Sequence, residues 1–137
     1  MAFELTIVTP QGEAYRGSVE RVVLPGSEGE FGVLTNHERF LSPLRVGAVE
    51  ILTAEGPAYA AVASGFAQVE GDAVTVLVDS CEFAHEIDTA RANAAMAAAQ
   101  QYLDKAAGTD DPDRYRHFEA ALERAKTRIA VSRRSQP

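Results

Sequence analysis

At Asp88 the chain changes its pattern, and no single structural period fits both sides of that point. Upstream, apolar residues come in short, half-alternating runs. Phe3, Leu5 and Ile7 bracket Glu4 and Thr6, the period of a strand with one buried face. Further apolar runs cover 19–24, 31–34, 46–52, 59–63, 66–69 and 74–78. Turn residues such as Pro10-Gln11-Gly12, Pro25-Gly26, Gly56-Pro57 and Glu70-Gly71-Asp72 separate them. So many short strands at close spacing predict a β sandwich or flattened barrel over residues 1–86.

Downstream, residues 87–137 turn to alanine and predict an antiparallel two-helix hairpin, so the fold class is α+β in two parts. The Asp88 carboxylate can accept from free amides of a first turn, and Ala92, Ala95, Ala99, Leu103 and Ala106 follow at helical spacing. Gly108-Thr109-Asp110 breaks that helix. Asp111 is placed to cap a second one, with Pro112 at its first position, where no amide hydrogen is needed. Tyr115, Phe118, Leu122, Ala125 and Ile129 then form one stripe. The first helix offers mainly methyl groups, each contributing about 0.8 kcal/mol when buried, while Phe118, Leu122 and Ile129 contribute roughly 1.5 to 3 kcal/mol each. Ordering costs about 1 kcal/mol or more per residue, so the hairpin is expected to be weakly held and detachable.

The net charge of −7 argues against nucleic-acid binding, and its distribution again divides the chain. Residues 1–84 carry a net −8 and the remainder +1, with the basic residues crowded after Arg114. The single cysteine, Cys81, has no partner for an internal disulfide and reads as a core residue in a reducing compartment. No run approaches the roughly 20 apolar residues of a membrane span, and no signal or transit pattern is expected. Catalytic machinery is missing too: Gly26-x-x-Gly29-x-x-Gly32 lacks the lysine of a phosphate-gripping loop, and no nucleophile elbow appears. His37, His85 and His117 are far apart and read as a loop contact, a boundary residue and a helix-surface residue rather than metal ligands.

Several motifs occur in order along nearly the whole chain. They are Val8-Thr9-Pro10-x-Gly12, Leu24-Pro25-Gly26-Ser27-Glu28-Gly29-Glu30-Phe31-Gly32-Val33-Leu34-x-x-His37, Phe40-Leu41-Ser42-Pro43-Leu44, and Gly65-Phe66 ahead of Val74-Thr75-Val76-Leu77. Together they resemble the epsilon subunit of F-type ATP synthases. The resemblance implies a sandwich of about ten strands with a carboxy-terminal helix pair. It also implies a non-catalytic rotor subunit that links gamma to the ring of membrane c subunits, with Glu28, Glu30, Phe31 and His37 facing the c ring. The same family implies a hairpin that either folds on the sandwich or extends toward the catalytic alpha and beta subunits and restrains ATP hydrolysis. Arg114, Arg116, Arg124, Lys126, Arg128, Arg133 and Arg134 are the basic residues such a contact would use.

Ile87-Asp88-x-x-Arg91-Ala92 looks like the motif by which some bacterial members hold ATP as a regulatory ligand. On that resemblance Glu82 and Asp88 would position the nucleotide, and Arg91, Arg124 and Arg128 would pair with its phosphates. The chain departs from ATP-binding members in having nothing basic between Arg91 and Lys105. A plainer reading gives Asp88 to the helix cap and leaves the arginines solvated. A bacterial chain peripheral to the cytoplasmic face of the plasma membrane is expected, with a plastid chain on the stromal side of the thylakoid as the alternative. The rival function is a free-standing nucleotide sensor built on the same charged residues.

Overall fold

The computed structural model describes residues 2–34, 37–106 and 111–134. Ten strands come first: β1 (Phe3–Thr9), β2 (Gly12–Val19), β3 (Arg21–Gly26), β4 (Gly29–Val33), β5 (His37–Leu44), β6 (Gly47–Thr53), β7 (Gly56–Val62), β8 (Gly65–Gly71), β9 (Ala73–Val78) and β10 (Cys81–Phe83). A short 3-10 turn at Ala84–Glu86 leads into helices α1 (Thr89–Lys105) and α2 (Pro112–Arg134).

The strands make one sheet in the order β10-β7-β6-β3-β5-β8-β9-β1-β2, with β4 also paired to β3. Between β3 and β5 the ladder narrows to one pair, Gly26 with Leu44, and the sheet folds there into two layers. Alternation then decides the interior: Leu5, Ile7, Val74, Val76 and Val69 from one layer meet Val22, Leu24, Val49 and Ile51 from the other. All the residues of this core lie within residues 3–83, so the sandwich closes on itself without the helices.

The apolar run over 19–24 proves to be two strands, since β2 ends at Val19 and β3 starts at Arg21. Apolar periodicity also misses β2, β5 and β10; in β5 Phe40 and Leu41 are adjacent and Leu41 and Pro43 face outward, so no alternation shows. β2 is an edge strand whose residues are mostly exposed or half-buried before Val19, so it carries no apolar alternation. β10 is only three residues long.

Both helix starts follow from capping. The Asp88 carboxylate accepts from the Arg91 amide at 3.1 Å, and that of Asp111 from the Arg114 amide at 3.0 Å. The predicted break at Gly108-Thr109-Asp110 lies outside the described residues. Between the helices, Ala99, Leu103 and Leu122 are buried, and Tyr102 stacks on Phe118 with ring centroids 3.9 Å apart. A second apolar cluster joins Val131 of α2 to Ala61, Ala84 and Ile87 and so docks the hairpin on the sandwich.

Candidate functional site

Three surfaces carry the chemistry. The first is the tight β3–β4 turn, where Gly26 pairs with Gly29 and only Ser27 and Glu28 lie between them. Gly29 has φ +134°, a backbone conformation that side chains disfavour. Glu28 and Glu30 are exposed, whereas Phe31 is half-buried and meets Phe40 edge to face at 5.6 Å. Phe31 therefore braces this end of the sandwich as well as lining its surface. The side chain of His37 lies outside the described residues.

The second surface is an apolar ribbon on the outer face of the sandwich, which the periodicity of the sequence does not single out. In register across four strands run Val8, Leu77, Phe66 and Pro43. Leu41 lies two residues along β5 from Pro43 and so on the same face. Leu41 is 66% exposed, Phe66 52% and Leu77 49%. Apolar side chains aligned on the solvent side of a sheet mark an interaction surface. One signal is present in the sequence: 74–78 breaks strict alternation, because Leu77 is apolar where its strand turns outward.

The third is a depression of about 650 Å³ between the sandwich and the hairpin. Cys81, Glu82 and Glu86 line one side of it, Arg124 and Arg128 another, and Ala95 of α1 contributes a methyl group. Glu82 and Arg128 form a two-point pair, with Oε1 2.6 Å from Nε and Oε2 3.3 Å from Nη2. Both side chains are about a third exposed or less, which strengthens the pair relative to a fully solvated one. Burial, with help from Glu86 and Glu82, pushes the Cys81 thiol up to about 11.

Of the five residues singled out for nucleotide contact, Glu82, Arg124 and Arg128 come together in this depression, while Asp88 and Arg91 are not among its lining residues. Asp88 is exposed and caps α1, and Arg91 is exposed on the first turn of that helix. The other histidines are dispersed: His85 is exposed on the 3-10 turn, and His117 lies against Phe118 on α2. Among the described residues no cluster of His, Cys, Asp and Glu could hold a metal ion, and no helix is long and apolar enough to cross a membrane.

Fold and surfaces together define a two-part protein, a β sandwich with one apolar outer face and a docked helical hairpin. Residues 2–84 match the family described as ATP synthase, Delta/Epsilon chain, beta-sandwich domain, and residues 85–133 match its long alpha-helix domain. The chain belongs to this ATP synthase delta/epsilon family. Among curated relatives, the ATP synthase epsilon chain of Bacillus cytotoxicus is 42% identical over 131 residues, covering 95% of this chain and 96% of that one. The epsilon chain of Staphylococcus aureus is 40% identical over 129 residues, covering 93% and 94%. In fold the chain is similar to one in the cryo-EM structure of Euglena gracilis mitochondrial ATP synthase (OSCP/F1/c-ring, rotational state 1). There the TM-score is 0.81 at 23% identity, covering 94% of this chain and 80% of that one.

Proposed function

We propose that this chain is a non-catalytic rotor subunit of an F-type ATP synthase, joining the gamma subunit to the c ring and restraining ATP hydrolysis through its hairpin. The observation that supports this reading most is the apolar ribbon of Val8, Leu77, Phe66 and Pro43, of which Leu77, Phe66 and Pro43 are exposed in the chain alone and Val8 is half-buried. A subunit that turns with gamma needs a dry, self-consistent contact of this kind. The acidic turn at Glu28 and Glu30 is a separate surface, suited to basic loop residues of the c ring, with Phe31 and His37 beside it by family resemblance. With the ribbon and the turn engaged, the sandwich is fixed to the stalk, and the hairpin is left to fold back or to extend toward the alpha and beta subunits.

Such a subunit is itself peripheral to the membrane, at the cytoplasmic face in a bacterium. ATP is the proposed regulatory ligand of the folded hairpin, held by Arg124 and Arg128 beside Glu82. Asp88 and Arg91 contribute at the mouth of α1 if the helix shifts on binding. ATP can favour the folded state only by its differential affinity for the two positions. High ATP would then lift inhibition.

Co-purification tests the rotor assignment. Phe66→Asp combined with Leu77→Asp is expected to leave the sandwich folded and to lose gamma, whereas full retention of gamma by the double variant would contradict the assignment. Calorimetric titration of the isolated chain tests the ligand: heat at millimolar ATP that disappears with Arg128→Ala supports it, and no heat with the unaltered chain removes it.

A further inference from the structure

Strand β10 pairs with β7 only at Ala60, Ala61 and Val62, and the chain then leaves the sheet through the 3-10 turn. Past that pairing, the edge of β7 over 57–59 has no strand on this side among the described residues. A depression of about 510 Å³ opens there, and it shares no residue with the ribbon, with the acidic turn or with the depression beside Arg124 and Arg128. We infer that it is a small-molecule site that takes a planar aromatic carboxylate, with the ring system against Tyr15, Tyr59 and Phe83 and the carboxylate on Arg134.

Rings supply most of the wall. Tyr15 of β2 and Phe83 of β10 are tilted by 40° with centroids 5.8 Å apart, and His85 continues the row 6.2 Å from Phe83. Tyr59 of β7 adds a fourth ring, and Pro57 and Ala58 keep the space between them shallow and apolar. Tyr15 and Phe83 are half-buried against the sandwich core, and Tyr59 against the cluster around Val131. The packing behind them holds these rings in place, so a planar ligand can stack on them or meet them edge-on at little ordering cost. A depression of this volume is in the range of sites for small organic ligands.

Charge selects the class of ligand. The Arg134 guanidinium lies over the Tyr59 ring at 4.5 Å and is 44% exposed. Its acid partner, Glu50, is shared: Oε2 is 3.5 Å from Arg134 and Oε1 is 3.3 Å from Arg21. One carboxylate thus balances two guanidinium groups, which leaves a net positive charge at the rim. No acid lines the depression, and Glu55, which after burial pushes the Tyr15 phenol up, is exposed and outside it. The polar side chains that do line it are two phenols, an imidazole and the guanidinium, all able to donate hydrogen bonds. Guanidinium in particular presents a planar pair of N–H groups that matches a carboxylate. Ring faces beside a net cation and several donors complement an aromatic anion, whereas a neutral ring leaves the donors unused and a cation is repelled.

Titration of the full chain with naphthoate, followed by NMR, tests the site. Saturable shifts are expected at Tyr15, Tyr59 and Phe83, with naphthamide, the neutral analogue, bound about tenfold more weakly. Arg134 lies at the exposed end of α2. Arg134→Gln is expected to remove the preference for the carboxylate and to leave the affinity for naphthamide unchanged. Phe83→Leu, which keeps an apolar side chain against the core, is expected to weaken both probes several-fold. Absence of shifts at millimolar naphthoate overturns the site, and so do shifts confined to the ribbon or to the depression beside Arg124 and Arg128. Naphthamide or naphthylmethylammonium bound as tightly as naphthoate overturns the choice of an anion, as does a charge preference that survives Arg134→Gln.

Discussion

At Gly65 the two strands β8 and β9 approach so closely that a Cβ would overlap the Leu77 carbonyl oxygen and lie 2.8 Å from the Val78 Cα. Backbone cannot yield there as a flexible side chain could. Gly65→Ala is therefore expected to destabilise the sandwich by about 2 to 4 kcal/mol, read as a lower urea midpoint at constant m value. Cys81 makes a second prediction. With its thiol pushed up to about 11 from the ordinary 9.0 by burial and the nearby Glu86 and Glu82, the folded chain holds on the order of a hundredfold less thiolate at pH 8 than an open cysteine. Alkylation should be slow in the folded protein and accelerate in urea. The sign for stability follows: between about pH 9 and 11 the unfolded chain has lost the proton that the folded chain still binds. Stability is then full below that window and falls as pH rises through it, whereas a denaturation midpoint that rose across the same range would contradict the assignment.

Among the elements, the helices were the most legible from sequence, because their signals are local. Asp88 and Asp111 announce the starts; of the two expected stripes Ala92, Ala99 and Leu103 on α1 and Leu122, Ala125 and Ile129 on α2 are buried, whereas Ala95 is exposed and Ala106, Tyr115 and Phe118 are half-buried. The strands with alternating valines and leucines are equally plain, while β2, β5 and β10 are not, since an exposed edge, a strand with Leu41 and Pro43 turned outward and a three-residue strand carry no apolar period. Docking was illegible for a different reason. Val131 meets Ala61, Ala84 and Ile87, contacts between distant parts of the chain that no local spacing encodes. Of the nucleotide-contact candidates, Arg124 and Arg128 share a face by helical period, but their meeting with Glu82 depends on the same docking. The hairpin tip can be probed separately. Phe118→Ala removes the stack on Tyr102 and is expected to weaken the helix pair by about 1 to 3 kcal/mol. Hydrogen exchange should then quicken along α1 and α2 while the sandwich strands keep their protection; a uniform loss throughout the chain would show that the two parts are not separate.

For the whole molecule, the division of labour follows from where the cores lie. One interior, built from both layers of the sheet, makes the sandwich self-sufficient, while a smaller one belongs to the helices alone. The two are joined by a short 3-10 turn and a docking contact centred on one valine. On the proposed function, such a body stays fixed to its neighbours through the ribbon and the acidic turn while its hairpin changes position. Hydrolysis by the enzyme reassembled with a chain ending at Ile87, beside the full-length chain, tests this account most directly. The shortened chain is predicted to remain in the complex and to support proton-coupled synthesis, with ATP hydrolysis increased; hydrolysis equal to that of the full-length complex, or loss of the shortened chain from it, would contradict the account.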